Sequence, residues 1–181
     1  KLCKTFLAGS QVHVGAAIAF PLGQTTLEDK LSETRNAIKN GADEIDYVVN
    51  LTKLKAGDTA YIESEMARIT DICREFSVVS KVIFENCYLT EDEKKTLCHI
   101  ATKVKPDFIK TSTGFGTGGA TFEDVALMKR ETEGSGVKIK AAGGIRTLKT
   151  ALEMINLGVS RIGSTSSVAI MEEYMANSPL L

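Results

Sequence analysis

The chain has 181 residues, 43% of them hydrophobic, and a formal net charge of −1, enough to bury one substantial core in a single domain over residues 1–181. Its 22 basic and 23 acidic residues are scattered rather than blocked, so it offers no basic face to nucleic acid or an anionic membrane, and a small molecule is the expected partner. No apolar run reaches the ~20 residues of a membrane span and no signal-peptide pattern is visible; Cys3, Cys73, Cys87 and Cys98 lack Cys-x-x-Cys spacing and read as small buried hydrophobes of a soluble protein in a reducing cytoplasm.

Lys1 opens the chain without an initiator Met, in what reads as the end of a helix, so a domain incomplete at its N-terminus is expected. Six short apolar runs then alternate with amphipathic stretches. Residues 12–20, 44–50, 78–84, 107–111, 137–141 and 160–163 read as strands, each followed by a helix. Thr25 with Glu28, Thr90 with Glu93 and Thr121 with Asp124 have capping-box or near-box spacing, in which a hydroxyl satisfies an orphan N–H at a helix start. Gly41 and Gly158 stand where helices should stop. No linker or low-complexity stretch divides the series, and proline is limited to three residues.

Strands alternating with helices imply a parallel sheet, closed either as an open doubly wound sheet or as a (β/α)₈ TIM barrel. Side-chain direction favours the barrel. Residues two apart share a face, so Ile45, Tyr47 and Val49 would meet the helices while Asp46 and Asn50 look the other way. Lys110 and Lys140 likewise take the more polar side of their strands, as do Lys81 and Glu85. An open sheet needs apolar side chains on both faces, whereas a barrel interior accepts polar layers near its mouth. About six βα units are visible against the eight that closure requires.

Buried parallel strands should be almost continuous runs of Val, Ile and Leu, and isolated charges are costly there. Two lysines and a carboxylate on three such strands point to amine chemistry on a carbonyl. An amine attacks only when neutral, and an ordinary lysine pKa near ~10.4 leaves on the order of 0.1% in that form at neutral pH. Burial and a neighbouring ammonium both disfavour the charged form, and lowering the value by about three units takes roughly 4 kcal/mol. Lys110 and Lys140 could be such a pair, with either as nucleophile. Asp46, alone or through a water, is the natural general acid/base for the proton transfers an imine requires. Each residue alone also reads as a structural ion pair, and Lys81 with Glu85 is expected to be one. His13 and His99 have no partner at metal spacing and receive no role.

Gly143-Gly144 ends one strand; Gly163-Ser164-Thr165-Ser166-Ser167 ends the next and opens a helix. Glycines that let backbone approach an anion, with helix-start N–H groups and hydroxyls, suit a phosphate, and barrels often hold one after strands seven and eight. By contrast, Gly114-Phe115-Gly116-Thr117-Gly118-Gly119 matches the dinucleotide fingerprint without its acid, since Ile139-Lys140-Ala141 stands about 20 residues on. Nicotinamide binding is not expected.

These segments together resemble a known family. Glu44-Ile45-Asp46, Phe108-Ile109-Lys110-Thr111-Ser112-Thr113-Gly114-Phe115, Lys140-Ala141-Ala142-Gly143-Gly144-Ile145-Arg146-Thr147 and the final Gly-Ser-Thr-Ser-Ser loop are similar to the deoxyribose-phosphate aldolases. Phe20-Pro21-Leu22-Gly23 and Gly116-Thr117-Gly118-Gly119-Ala120-Thr121 fit the same pattern, so the likeness runs nearly end to end. It implies a class I aldolase, without metal or cofactor, that reversibly cleaves 2-deoxy-D-ribose 5-phosphate to acetaldehyde and D-glyceraldehyde 3-phosphate in deoxyribonucleotide breakdown. By motif position Lys110 would form the Schiff base, Lys140 would lower its pKa and Asp46 would relay protons. Gly143, Gly144, Thr165 and Ser166 would hold the phosphate. Family members carry about two further βα units ahead of this start, including an Asp-Thr segment that contacts substrate. The alternatives are a non-catalytic fragment, a sugar-phosphate-binding protein, or another Schiff-base barrel lyase. The sequence leaves open whether copies associate as a homo-oligomer.

Overall fold

The computed structural model describes residues 1–177. After a short helix α1 (Leu2–Phe6), six strands alternate with helices: β1 (Gly15–Ile18), α2 (Leu27–Lys39), β2 (Glu44–Val48), α3 (Leu51–Lys55), α4 (Thr59–Glu75), β3 (Val79–Ile83), α5 (Glu91–Val104), β4 (Phe108–Lys110), α6 (Phe122–Glu131), β5 (Lys138–Ala142), α7 (Leu148–Asn156), β6 (Arg161–Gly163) and α8 (Ser167–Asn177). All six strands are parallel and pair in chain order, so β1 and β6 each have one neighbour in the sheet. The sheet curls. Arg161 on β6 pairs with Glu44 on β2, a contact between strands four places apart in the sheet that a flat ribbon would forbid. The result is six βα units of a TIM barrel, open among the described residues where the full fold would close.

The apolar side chains follow the two periods that the sequence carries. Ile45 and Tyr47, on the outward face of β2, are fully buried, and α4 turns Ile62, Met66, Ile69 and Cys73, spaced one helical face apart, into the same layer. Each such side chain contributes about 1.5–3 kcal/mol of burial. Helices pack in sequence order around the sheet, α2 on α4, α4 on α5 and α5 on α6. No helix among the described residues is long and apolar enough to cross a membrane.

Local signals place most helix ends. Thr90 and Glu93 form a complete reciprocal capping box, and Thr121 accepts the Asp124 N–H. Gly41 and Gly158 follow α2 and α7 at φ of +97° and +99°, as helix stops require. Two expectations shift. The cap of α2 is Thr26, not Thr25, because Thr26 accepts the Asp29 N–H while both hydroxyls donate to the Asp29 carboxylate. Asn50 does not face the interior; it caps α3, a helix the apolar pattern did not announce, by accepting the Lys53 N–H at 3.1 Å.

A second buried ion pair anchors the end of β2. Lys30 Nζ donates to Glu65 Oε1 at 2.7 Å and to the Val48 carbonyl at 2.8 Å, and Glu65 Oε2 accepts the Asn50 N–H at 3.0 Å. Both side chains are wholly inaccessible. Burial pushes the Lys30 pKa down and the Glu65 pKa up, and each partner opposes the other's shift. Replacing one member leaves a buried charge alone, so Glu65→Gln should lower unfolding free energy by about 3 kcal/mol, while Lys30→Met with Glu65→Leu should cost less than either single change. Urea titration of the three variants checks this, and a double variant weaker than both singles would contradict it.

Candidate active site

Strand register sets the ionisable residues on the inner face at two neighbouring levels, because Lys81 stands opposite Phe108 and Lys110 lies two residues further along. Asp46 pairs in register with Lys81, and Lys110 with Lys140, which in turn pairs with Arg161. All five point into the curl. Asp46 Oδ2 accepts from Lys110 Nζ at 2.8 Å and from Lys140 Nζ at 2.7 Å, and Oδ1 accepts from Lys81 Nζ at 2.5 Å. One shared oxygen therefore holds the two ammonium groups closer together than the sum of those two bonds. Asp46, Lys81 and Lys110 are buried, and the Lys140 side chain is 14% exposed.

The electrostatics follow from that crowding. Burial by itself would raise the Asp46 carboxyl, but Lys110, Lys81 and Lys140 outweigh it and hold the group well below the usual carboxylate range. Burial pushes the Lys140 ammonium down; the Asp46 carboxylate opposes this, and the neighbouring Lys110 cation reinforces it.

One expected pair does not form. Lys81 binds Asp46 and, at 2.7 Å, Glu44, not Glu85. Glu85 lies past the end of β3 at φ of +52°, where strand alternation no longer applies, and it accepts the Thr113 N–H at 3.1 Å together with the Thr113 hydroxyl. It therefore braces the loop that follows Lys110. Glu44 could have been found, since it shares the Asp46 face two residues earlier. Arg161 could not, because its partner is 117 residues away.

Two cavities meet at the lysines. The larger, about 390 Å³, is lined by Lys110, Lys140, Gly143, Gly144, Arg146 and Thr165 among others. The smaller, about 290 Å³, is lined by Asp46, Glu44, Lys81, Phe20 and the residues of β1, again with Lys110 and Lys140. Ser166 is not among the lining residues of the larger cavity. Its N–H donates to Ser164 Oγ at 2.9 Å, and Ser164 takes the place on the wall. Arg146 was read only as part of a motif and Ser164 only as part of its loop, because nothing local marks which loop residue faces a cavity. Phe20 roofs the amine, with Lys110 Nζ 5.6 Å from its ring centre and Phe115 packed edge-on against it at 6.4 Å.

The glycine run that mimics a dinucleotide fingerprint has a different task. A Cβ on Gly119 would lie 2.3 Å from the Gly143 carbonyl oxygen, and the Ala120 N–H donates to the carbonyls of Ala142 and Gly143 at 3.1 and 3.0 Å. Backbone meets backbone here, fixing Gly143 at φ of +85° on the cavity wall. His13 and His99 are exposed beside Asp43 and Glu131. Cys73 and Cys98 are buried, their thiols pushed up to about 12 by desolvation, but Cys3 is exposed because α1 buries none of its residues, and Cys87 is half-buried beside Gly116 and Gly118. Among the described residues no three His, Cys, Asp or Glu side chains converge as a metal would require.

Two measurements test this arrangement. Asp46→Asn should destabilise the protein by about 3 kcal/mol at pH 7, because Lys110 and Lys140 lose their counter-ion and Lys81 is left with Glu44 alone. A carboxyl depressed in the folded state contributes fully above its unfolded pKa near ~3.9 and loses that contribution as pH falls further. The gap between wild type and variant in denaturant unfolding should thus hold from pH 7 to about 5 and close only below about 4; closure already at pH 6 would refute the assignment. Gly119→Ala should weaken inorganic phosphate binding at least about tenfold by displacing Gly143, read by calorimetry, while Gly57→Ala, at a turn with open space around it, should leave phosphate binding unchanged.

Comparison with known proteins bears on the same residues. A model of the DeoC/LacD family aldolases matches residues 4–165. The deoxyribose-phosphate aldolase of Lactobacillus acidophilus is 57% identical over 172 residues, covering 95% of this chain and 72% of that protein. The solved structure of QR15, described as an aldolase, superposes with a TM-score of 0.87 at 40% identity, over 93% of this chain and 75% of that one. A deoxyribose phosphate aldolase from Aeropyrum pernix, described as tetrameric, superposes with a TM-score of 0.88 at 28% identity, over 98% and 74%. With the family pattern, sequence identity and backbone path agreeing along nearly its whole length, the chain belongs to the DeoC/LacD aldolase family.

Proposed function

We propose that the chain is a class I aldolase that reversibly cleaves 2-deoxy-D-ribose 5-phosphate to acetaldehyde and D-glyceraldehyde 3-phosphate through a Schiff base on Lys110. The observation that carries the reading is the single Asp46 oxygen shared by Lys110 and Lys140, beside a cavity walled by glycine and hydroxyl loops. The names of the relatives supply the substrate. Lys110 is assigned as nucleophile by its place in the family motif, and its position under the Phe20 ring supports that choice, since both lysines line both cavities.

In the cleavage direction the neutral Lys110 amine adds to the C1 aldehyde of the open-chain sugar, and loss of water gives the imine. A base removes the proton of the C3 hydroxyl, the C2–C3 bond breaks, and its electron pair runs into the iminium nitrogen. Glyceraldehyde 3-phosphate leaves; protonation of the enamine at C2 and hydrolysis release acetaldehyde. Asp46 and Lys140, both within hydrogen-bonding reach of the amine's immediate surroundings, move these protons, directly or through water. Lys140 suits the task because burial already disfavours its charged form. Gly143, Gly144 and Thr165 take the phosphate with Ser166 backing their loop, and Arg146 on the same wall supplies a cation. The reaction belongs to deoxyribose-phosphate breakdown in the cytoplasm, and a homo-oligomer is the assembly we expect.

A second reading is a sugar-phosphate-binding protein without turnover. The glycine and hydroxyl wall of the larger cavity would hold a sugar phosphate whether or not an imine forms. Acetaldehyde with borohydride separates the two: one reduced two-carbon adduct on Lys110 by peptide mass is expected, lost in Lys110→Ala. Lys140→Met should keep the fold and cut aldehyde release from deoxyribose 5-phosphate by about 10²-fold or more. Folded protein that binds the sugar phosphate yet forms no adduct establishes the second reading instead.

A further inference from the structure

The charges around the lysine pair do not end at Asp46. Lys81 Nζ bridges Asp46 Oδ1 at 2.5 Å and Glu44 Oε2 at 2.7 Å, and the same Glu44 oxygen accepts from the Arg161 guanidinium. Arg161 is fixed a second time, with its guanidinium carbon 5.1 Å from the centre of the Phe108 ring. The sequence of contacts is an alternating chain, Arg161 to Glu44 to Lys81 to Asp46, ending on Lys110 and Lys140. Four cations share two carboxylates, so each anion is divided among more partners than it can neutralise.

We propose that Glu44 and Arg161 are positioning residues that set, through Lys81 and Asp46, the pH at which the Lys110–Lys140 pair gives up a proton. The inference rests on the aldolase reading for its use in catalysis and on the contacts alone for its electrostatics. Without the Glu44 charge, Lys81 turns to Asp46 alone, Asp46 holds Lys110 and Lys140 less strongly, and the pair deprotonates at lower pH. Without the Arg161 charge, Glu44 draws Lys81 away, Asp46 is left to the pair, and deprotonation needs higher pH. The other elements around the pair leave both carboxylates to this chain of contacts. β1 brings Gly15, Ala16 and Ala17; Glu85 is committed to Thr113; Arg146 lines the phosphate side; and Lys138 sits over the Phe108 ring. None of these binds Asp46 or Glu44.

The test is the pH dependence of Lys110 and Lys140 labelling by fluorodinitrobenzene in the folded 181-residue chain, read by peptide mass over roughly pH 6 to 10, together with acetaldehyde and borohydride trapping. Glu44→Gln should move the labelling midpoint down by about half a pH unit or more, and Arg161→Met should move it up by a similar amount. Arg161→Lys should restore the wild-type midpoint, and the double variant should fall between the singles. General loosening of the fold would shift both variants the same way. Shifts of one sign, or none, overturn the proposal. Should Glu44→Gln fail to fold, Arg161→Met against Arg161→Lys carries the sign, and a downward or absent shift overturns it. Wild-type protein that forms no borohydride adduct while the midpoints still move in opposite directions sinks the aldolase reading and leaves this inference standing. An adduct with unmoved midpoints sinks the inference alone.

Discussion

One buried carboxylate organises this molecule. Asp46 is the counter-ion of Lys81, Lys110 and Lys140 at once, and three strands of a parallel sheet are tolerable as neighbours only because it stands between their charges. A buried ammonium without a partner costs several kcal/mol, and two of them in contact cost more. At Lys140 burial and the neighbouring Lys110 cation both work against the charged form, and the shared carboxylate opposes them.

The fold carries that expense elsewhere. Outward side chains of the strands and one face of each helix form a continuous apolar layer, and the Lys30–Glu65 pair, closed off completely, ties α2 and α4 to the end of β2 just beyond Asp46. Rigidity at that strand end matters because hydrogen bonds near 2.7 Å tolerate little displacement. Where glycines wall the larger cavity, the structure relies on main chain instead. Gly119 and Gly143 pack backbone to backbone, and Glu85 fastens Thr113 so that the loop after Lys110 keeps its course.

Sequence reasoning succeeded wherever a regular period applied and failed where it stopped. Within β2, β4 and β5, alternation sorted Asp46, Lys110 and Lys140 to one face and Ile45 and Tyr47 to the other, as observed. Past the strand ends the same rule misassigned Asn50, which caps a helix, and Glu85, which a left-handed turn swings toward Thr113. The cap of α2 moved by one residue because both adjacent threonines donate to the Asp29 carboxylate but only Thr26 accepts its N–H, a choice no spacing rule decides. Ser166 and Ser164 exchanged places on the cavity wall for a similar reason: in a run of hydroxyls, backbone geometry chooses which one faces inward.

The amino-acid order by itself determined the alternation of strands and helices, the capping at Thr90 and Thr121, and which residues carry charge on a face that should be apolar. These are local properties, decided within a few residues by side-chain direction and backbone hydrogen bonding. Only the tertiary structure decided that Lys81 belongs to Asp46 and Glu44, that Arg161 reaches across the curl to Glu44, and that the glycine run after β4 supports Gly143. Those pairings depend on strand register and sheet curvature, which many weak contacts set together and no single segment encodes.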